Sequence, residues 1–102
     1  MPAFTATRDN IQSEVINSSQ TVLLDFWAPW CGPCRMLSPV IDQVANENPQ
    51  CKVMKVNIDQ EPELAQAFGI MSIPTLVALK GGREAGRAVG VQPKSAILEM
   101  IR

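Results

Sequence analysis

Val22-Leu23-Leu24-Asp25-Phe26-Trp27 runs straight into Ala28-Pro29-Trp30-Cys31-Gly32-Pro33-Cys34. The first half is a mostly apolar run of the kind that forms a strand buried on both faces. The second half ends in two cysteines separated by Gly-Pro. Beyond it Leu37, Val40, Ile41 and Val44 recur at helical spacing over about residues 34–48, making one apolar stripe. A Cys-x-x-Cys thus lies between a strand and a helix, where its spacing lets two sulfurs bond across a tight turn. Cys31 falls at the positive end of the helix, where free amide hydrogens and the macrodipole favour a thiolate. Cys34 lies about one turn in and is expected to be the less exposed of the two. Pro33 suits a first helical turn and stiffens the loop. Two plainer readings exist, a zinc half-site and a pair of packing cysteines. A zinc site needs a second knuckle that the chain lacks, short of a metal bridging two copies, and Cys-x-x-Cys within alternating strands and helices points to dithiol redox chemistry.

Working outward, Pro39 is expected to kink the helix, since it has no amide hydrogen and crowds the carbonyl four residues back. Pro49 ends it. Residues 52–58 read as a strand with Met54, Val56 and Ile58 on alternate positions, and residues 61–68 as a helix stopped by Gly69. Residues 75–80 form a strand, Gly81-Gly82 a hairpin turn, and residues 84–89 a weaker strand. Pro93 opens a closing helix with Ile97, Leu98 and Ile101 on its apolar side. Upstream, residues 4–7 suit a short edge strand, and Asp9 or Asn10 can cap a short helix in which Ile11 and Val15 share a face. The order β-α-β-α-β-α-β-β-α implies an α/β sandwich: parallel pairing early, an antiparallel hairpin late, helices on both faces.

The 102 residues fit one domain, residues 1–102, and 46% apolar with 19% charged residues excludes a disordered tail or a coreless disulfide scaffold. Nine basic against ten acidic side chains, a net charge of −1, leave no electrostatic footprint for nucleic acid or an anionic membrane. The longest nearly apolar stretch, residues 73–79, is far short of the roughly 20 residues that span a bilayer. Met1-Pro2-Ala3-Phe4 lacks the basic start and apolar run of a signal peptide, which favours the cytoplasm, although a trimmed organellar protein would look the same. With no histidine, Ser-His and Cys-His nucleophile pairs and imidazole-based zinc sites are excluded. Three cysteines supply too few ligands for a structural zinc and argue against a fully paired extracellular framework. Chemistry is left to sulfur and carboxylate.

The segment from Asp25 to Cys34 resembles the active-site segment of the thioredoxin family without alteration. Val56-Asn57-Ile58-Asp59, Gly69-Ile70, Ile73-Pro74-Thr75-Leu76 and Val89-Gly90 follow in the expected order and spacing, so the likeness covers nearly the whole chain. It implies the thioredoxin fold, a central mixed five-stranded sheet with four helices on both faces, and the activity of a general protein disulfide reductase. The implied partners are disulfide-containing client proteins and a thioredoxin reductase that carries the NADPH and FAD. The chain itself needs no bound cofactor beyond its Cys31-Cys34 couple, and it works as a monomer.

By analogy and by position, Cys31 is the attacking thiolate and Cys34 resolves the mixed disulfide. Asp25 is the candidate base, because it interrupts a strand covered on both faces and should be desolvated with a raised pKa. Its plain alternative is a solvated strand-end aspartate. Lys55 shares strand parity with Val53 and Asn57 and resembles the lysine near that aspartate; otherwise it is a surface lysine. The resemblance implies a cis bond at Ile73-Pro74, placing the Ile73 backbone beside the disulfide where an extended client can add as a strand; an ordinary trans proline is the alternative. Trp30, Gly32, Pro33, Ile58, Ile73, Pro74, Gly90 and Val91 would form an apolar apron around Cys31, with Trp27 packed behind it.

Met71-Ser72 departs from the family's usual charged or polar residue followed by glycine. Cys51 reads as a small buried hydrophobe, the sharper alternative being a regulatory thiol. An oxidase or isomerase of a secretory compartment and a non-catalytic structural subunit compete as functions. The missing signal sequence and histidine weigh against the first, the intact Cys31, Cys34 and Asp25 against the second.

Overall fold

Residues 3–102 are described by the computed structural model, so Met1 and Pro2 lie outside it. The apolar run forms β2 (Thr21–Trp27) at the centre of a five-stranded sheet. Its neighbours are β3 (Cys51–Asn57), parallel, and β4 (Thr75–Lys80), antiparallel. At the edges β1 (Phe4–Thr5) pairs parallel with β3, and β5 (Arg83–Val89) antiparallel with β4, giving the order β1-β3-β2-β4-β5.

Helices cover both faces. On one, Leu37, Ile41, Val44 and Ala45 of α1 (Gly32–Glu47) and Ile97 of α3 (Lys94–Met100) form a cluster with Leu23, Val53, Leu76 and Ala78. On the other, Val15 of a five-residue π turn (Gln12–Ile16) and Leu64 of α2 (Pro62–Ala67) join Leu24, Phe26, Met54, Val56 and Val77. Each fully buried Leu, Ile or Phe contributes roughly 1.5–3 kcal/mol. A strand covered on both faces needs apolar residues at successive positions, which accounts for the unbroken Val22-Leu23-Leu24 run and makes Asp25 its anomaly. This is the mixed sheet and two-sided helix arrangement that the resemblance implies.

Several local expectations need correction. Cys51 pairs with Thr21 inside β3, while Ile58 lies beyond the strand and its amide donates to the Trp27 carbonyl at 2.9 Å. Alternation is also too weak a description of β3, because Val53 and Met54 are both buried, one on each face. The edge strand shrinks to two residues. No side chain caps the π turn: the Asn10 carboxamide instead accepts from the Thr7 amide at 2.8 Å and donates to the Thr5 carbonyl at 3.0 Å. The turn closes through an i→i+5 bond from the Asn17 amide to the Gln12 carbonyl, 2.9 Å. Sixteen residues of α1 continue through Pro39, which lies on the exposed side of the helix, as does Arg35, whose carbonyl loses its usual donor.

Lys80 pairs with Arg83, leaving Gly81 and Gly82 as a two-residue loop with φ of +61° and +77°. Two successive positive φ angles suit a tight hairpin whose twist matches its strands. A Cβ on Gly82 would also collide with the Ile16 carbonyl oxygen, so this turn closes onto the π turn of the opposite layer.

Candidate active site

The chain leaves β2 at Trp27, turns through Pro29 and Trp30, and enters α1 with Cys31 as the residue capping its N-terminus. Cys31 is extended (φ −94°, ψ 111°), and its sulfur accepts from the Cys34 amide at 3.2 Å. One of the orphan donors of the helix start is therefore aimed at the sulfur. Cys31 and Cys34 are joined in a disulfide with Cα atoms 5.3 Å apart. Their exposures, 5% and 3%, differ less than expected from one turn of separation. Half-buried Trp27, Ile58 and Ile73 pack against the cluster formed by both cysteines and Ala28, so neither sulfur stands free.

From the opposite side comes the segment before β4. The Ile73-Pro74 bond is cis, as the resemblance implies. The Ile73 carbonyl oxygen lies 3.9 Å from the Cys31 sulfur. Pro74 itself is buried, and its carbonyl accepts from the Gly90 amide at 2.8 Å. Pro74 is thus held beside Cys31 by the turn after β5. Gly90, at φ +90°, turns the chain after β5 in a backbone region that favours glycine, and exposed Val91 follows it. Gly32 is half-buried and Pro33 exposed in the first turn of α1. Trp30 is 66% exposed, with its indole N–H donating to both carboxylate oxygens of Asp59 at 3.2 and 3.0 Å.

Behind the disulfide, Asp25 is 2% exposed and its Oδ1 has no hydrogen-bond partner. Desolvation by burial pushes its pKa up to about 6; Lys55 pulls it down and Asp42 pushes it up by smaller amounts. Asp25, Trp27, Cys34, Arg35, Ser38 and Lys55 line a cavity of about 100 Å³. That is polar and roomy enough for water. Carboxyl and Cys34 thus line one partly open cavity. Asp25 and Lys55 are register partners, but the ammonium group donates to Ser38 Oγ at 2.8 Å and pairs with Asp42 Oδ1 at 3.0 Å. Lys55 is half-buried at the cavity wall, neither fully solvated nor bonded to Asp25.

Cys51 lies apart, buried in the α1 face of the core, and burial pushes its thiol up to about 11. This matches the plain core reading. Among the described residues, no group of three or more Cys, Asp or Glu is arranged to hold a metal, and no helix is long and apolar enough to cross a membrane.

Sequence reading passed over four residues of this neighbourhood. Ser38 and Asp42 stand four and eight residues after Cys34, a helical stripe that was visible, but its partner Lys55 comes from another element. Asp59, the partner of Trp30, is 29 residues distant, and the Arg35 guanidinium clamps the Pro29 carbonyl at 2.9 Å. Neither contact has a local signal.

Comparison with known proteins agrees with this geometry. The family model described as Thioredoxin matches residues 2–102. The chain is 48% identical over 100 residues to Thioredoxin 1 of Synechococcus elongatus, covering 97% of this chain and 94% of that protein. It is 46% identical over 96 residues to Thioredoxin 1 of Nostoc sp., covering 93% and 90%. With the chloroplastic M-type thioredoxin of Chlamydomonas reinhardtii it shares 44% identity over 94 residues, 91% of this chain and 67% of the relative. A whole-chain family match, several relatives at this identity and the Cys31-Cys34 disulfide lead to one assignment: the chain belongs to the thioredoxin family and is an oxidoreductase of disulfides.

Proposed function

We propose that residues 1–102 form one thioredoxin domain that works as a general protein disulfide reductase, an electron carrier between a thioredoxin reductase and client proteins. The observation that carries this reading is the Cys31-Cys34 pair at the start of α1, with the Cys34 amide on the Cys31 sulfur and the Ile73 carbonyl 3.9 Å away. In the dithiol form the Cys31 thiolate, favoured by the helix start, attacks one sulfur of a client disulfide and displaces the other as a thiolate. Cys34 then attacks Cys31, so two electrons pass to the client and the Cys31-Cys34 disulfide remains. Cys34 must lose a proton for that step. Asp25 takes it within the shared cavity, directly or through water, and a carboxyl near pKa 6 is matched to this task near neutrality.

Trp30, Gly32, Pro33, Ile58, Ile73, Pro74, Gly90 and Val91 form the surface that meets the client, the Ile73 carbonyl by strand-like pairing. Pro74 and Gly90 hold that carbonyl in place, and Lys55 tunes Asp25. The reductase partner supplies NADPH and FAD, and the chain acts as a monomer without nucleic acid or membrane. A reducing compartment suits this direction of flow. The cytoplasm is the first reading, and the chloroplastic name of one relative makes a mature organellar form the second.

Insulin reduction driven by NADPH and a thioredoxin reductase tests the assignment. Wild type is expected to turn over and Cys31→Ser to lose all activity. Turnover with dithiothreitol alone would narrow the reductase assignment; failure with both donors would end the reductase reading.

A further inference from the structure

Lys55 is the residue whose placement the mechanism above leaves unexplained. It sits opposite Asp25 across the parallel β2–β3 ladder, with both side chains on the α1 face. A cation there is the natural partner for a buried carboxylate, yet Asp25 Oδ1 has no hydrogen bond. The ammonium donors turn instead to α1, where Ser38 Oγ is 2.8 Å and Asp42 Oδ1 3.0 Å away. Cys34, Ser38 and Asp42 follow one another at intervals of four residues, so one helical stripe carries the resolving sulfur and both anchors of the lysine.

We infer that Ser38 and Asp42 are positioning residues: they hold the Lys55 ammonium group on the helix side of the cavity, so that Asp25 keeps no direct cationic partner and exchanges its proton with Cys34. The inference rests on Asp25 acting as the base for Cys34. An ion pair between Lys55 and Asp25 would leave the carboxylate a weaker base, since an opposite charge in contact lowers a carboxyl pKa by about 1–3 units. The other groups facing Asp25 do not supply such a pair. From α1 the Arg35 guanidinium is bonded to the Pro29 carbonyl at 2.9 Å, and Asp42 is itself an anion. From β4 the register partner is Leu76, and α3 presents Ile97 to this face. Asp42 also repels the Asp25 charge directly, so the two routes by which it acts must be separated by experiment.

A double-mutant cycle separates them. The Asp25 titration is followed by carboxyl-carbon NMR in the full oxidised chain for wild type, Asp42→Asn, Ser38→Ala, Lys55→Met and Asp42→Asn/Lys55→Met. Freed Lys55 is expected to move to Asp25, lowering its midpoint by about one pH unit or more in Asp42→Asn and by less in Ser38→Ala. In the Lys55→Met background, Asp42→Asn is expected to shift the midpoint by less than about one third of that. An equal shift in both backgrounds would mean direct repulsion and overturn the anchoring role, as would no shift in either. Asp42 is half-exposed, so the Asn variant is expected to fold. Resolution of a preformed mixed disulfide at pH 7 is expected to slow several-fold in Asp42→Asn. If Asp25→Asn resolves it as fast as wild type, the base reading falls, while the titration cycle still decides whether Ser38 and Asp42 anchor Lys55.

Discussion

The amide of Cys34 donates to the sulfur of Cys31 at 3.2 Å, so the second cysteine of the pair supports the first through its backbone as well as through the disulfide. Reduction leaves that donor facing a thiolate at the start of α1. Cys51, pushed up to about 11 by burial, is ionised at pH 7 only to the order of one part in ten thousand. Iodoacetamide at neutral pH should therefore label Cys31 at least about 100-fold faster than Cys51, read by peptide mass mapping. Comparable rates would contradict both environments. Cys34→Ser should accumulate clients as mixed disulfides on Cys31, visible on non-reducing gels.

Asp25 imposes a stability cost that depends on pH. Its folded pKa, about 6, stands above the ordinary aspartate value of 3.8, so the folded state binds the proton more tightly than the unfolded chain. Stability is then greatest below the lower value, declines as pH rises through the window between the two, and levels off above the higher. Asp25→Asn removes the buried charge and should be more stable than wild type at pH 7 by on the order of 2–3 kcal/mol, with the gain vanishing near pH 4. Urea unfolding at the two pH values checks the sign. The same variant should release clients from the mixed disulfide more slowly while forming it at nearly the wild-type rate.

Gly81 and Gly82 share a turn but differ in their surroundings. Both have positive φ, while only Gly82 faces the Ile16 carbonyl where a side chain would stand. Gly81→Ala should cost about 1–2 kcal/mol from left-handed backbone strain alone. Gly82→Ala should cost more than that, because the π turn must also move. Parallel thermal melts decide it, and equal losses would mean that the layer above yields freely.

Trp30 is exposed and tied to Asp59 only through its indole N–H. Trp30→Ala should leave stability within about 1 kcal/mol, as surface substitutions usually do. It should nevertheless lower kcat/KM for insulin several-fold. A large fall in the melting temperature would assign the ring to folding instead of client contact.

The strand-to-helix junction was legible because its signals are local. A continuous apolar run, one misplaced carboxylate and two cysteines at a helix start need no tertiary information. The cap expected from Asp9 or Asn10 failed because Asn10 satisfies the backbone behind it, at Thr5 and Thr7, instead of the turn ahead. The burial of Pro74 had no local signal, because it depends on how the turn after β5 folds back through the Gly90 amide. The anchors of Lys55 depend on β3 lying beside β2 in a register that sets Lys55 opposite Asp25, a relationship between segments 30 residues apart. Residue types at the site were thus readable, whereas their partners were set by topology.

The group that Ile73 turns toward Cys31 is a carbonyl, common to every amino acid. If that carbonyl pairs with a client as proposed, it adds no side-chain preference to that of the apron, and this part of selection falls to the client's mechanics. Pairing of that kind would require the client to peel an extended segment loose, and each 1.4 kcal/mol needed for that opening would lower the reactive population about tenfold. Under the proposed function, labile disulfides are expected to be reduced ahead of rigid structural ones, in the order set by each client's local unfolding equilibrium.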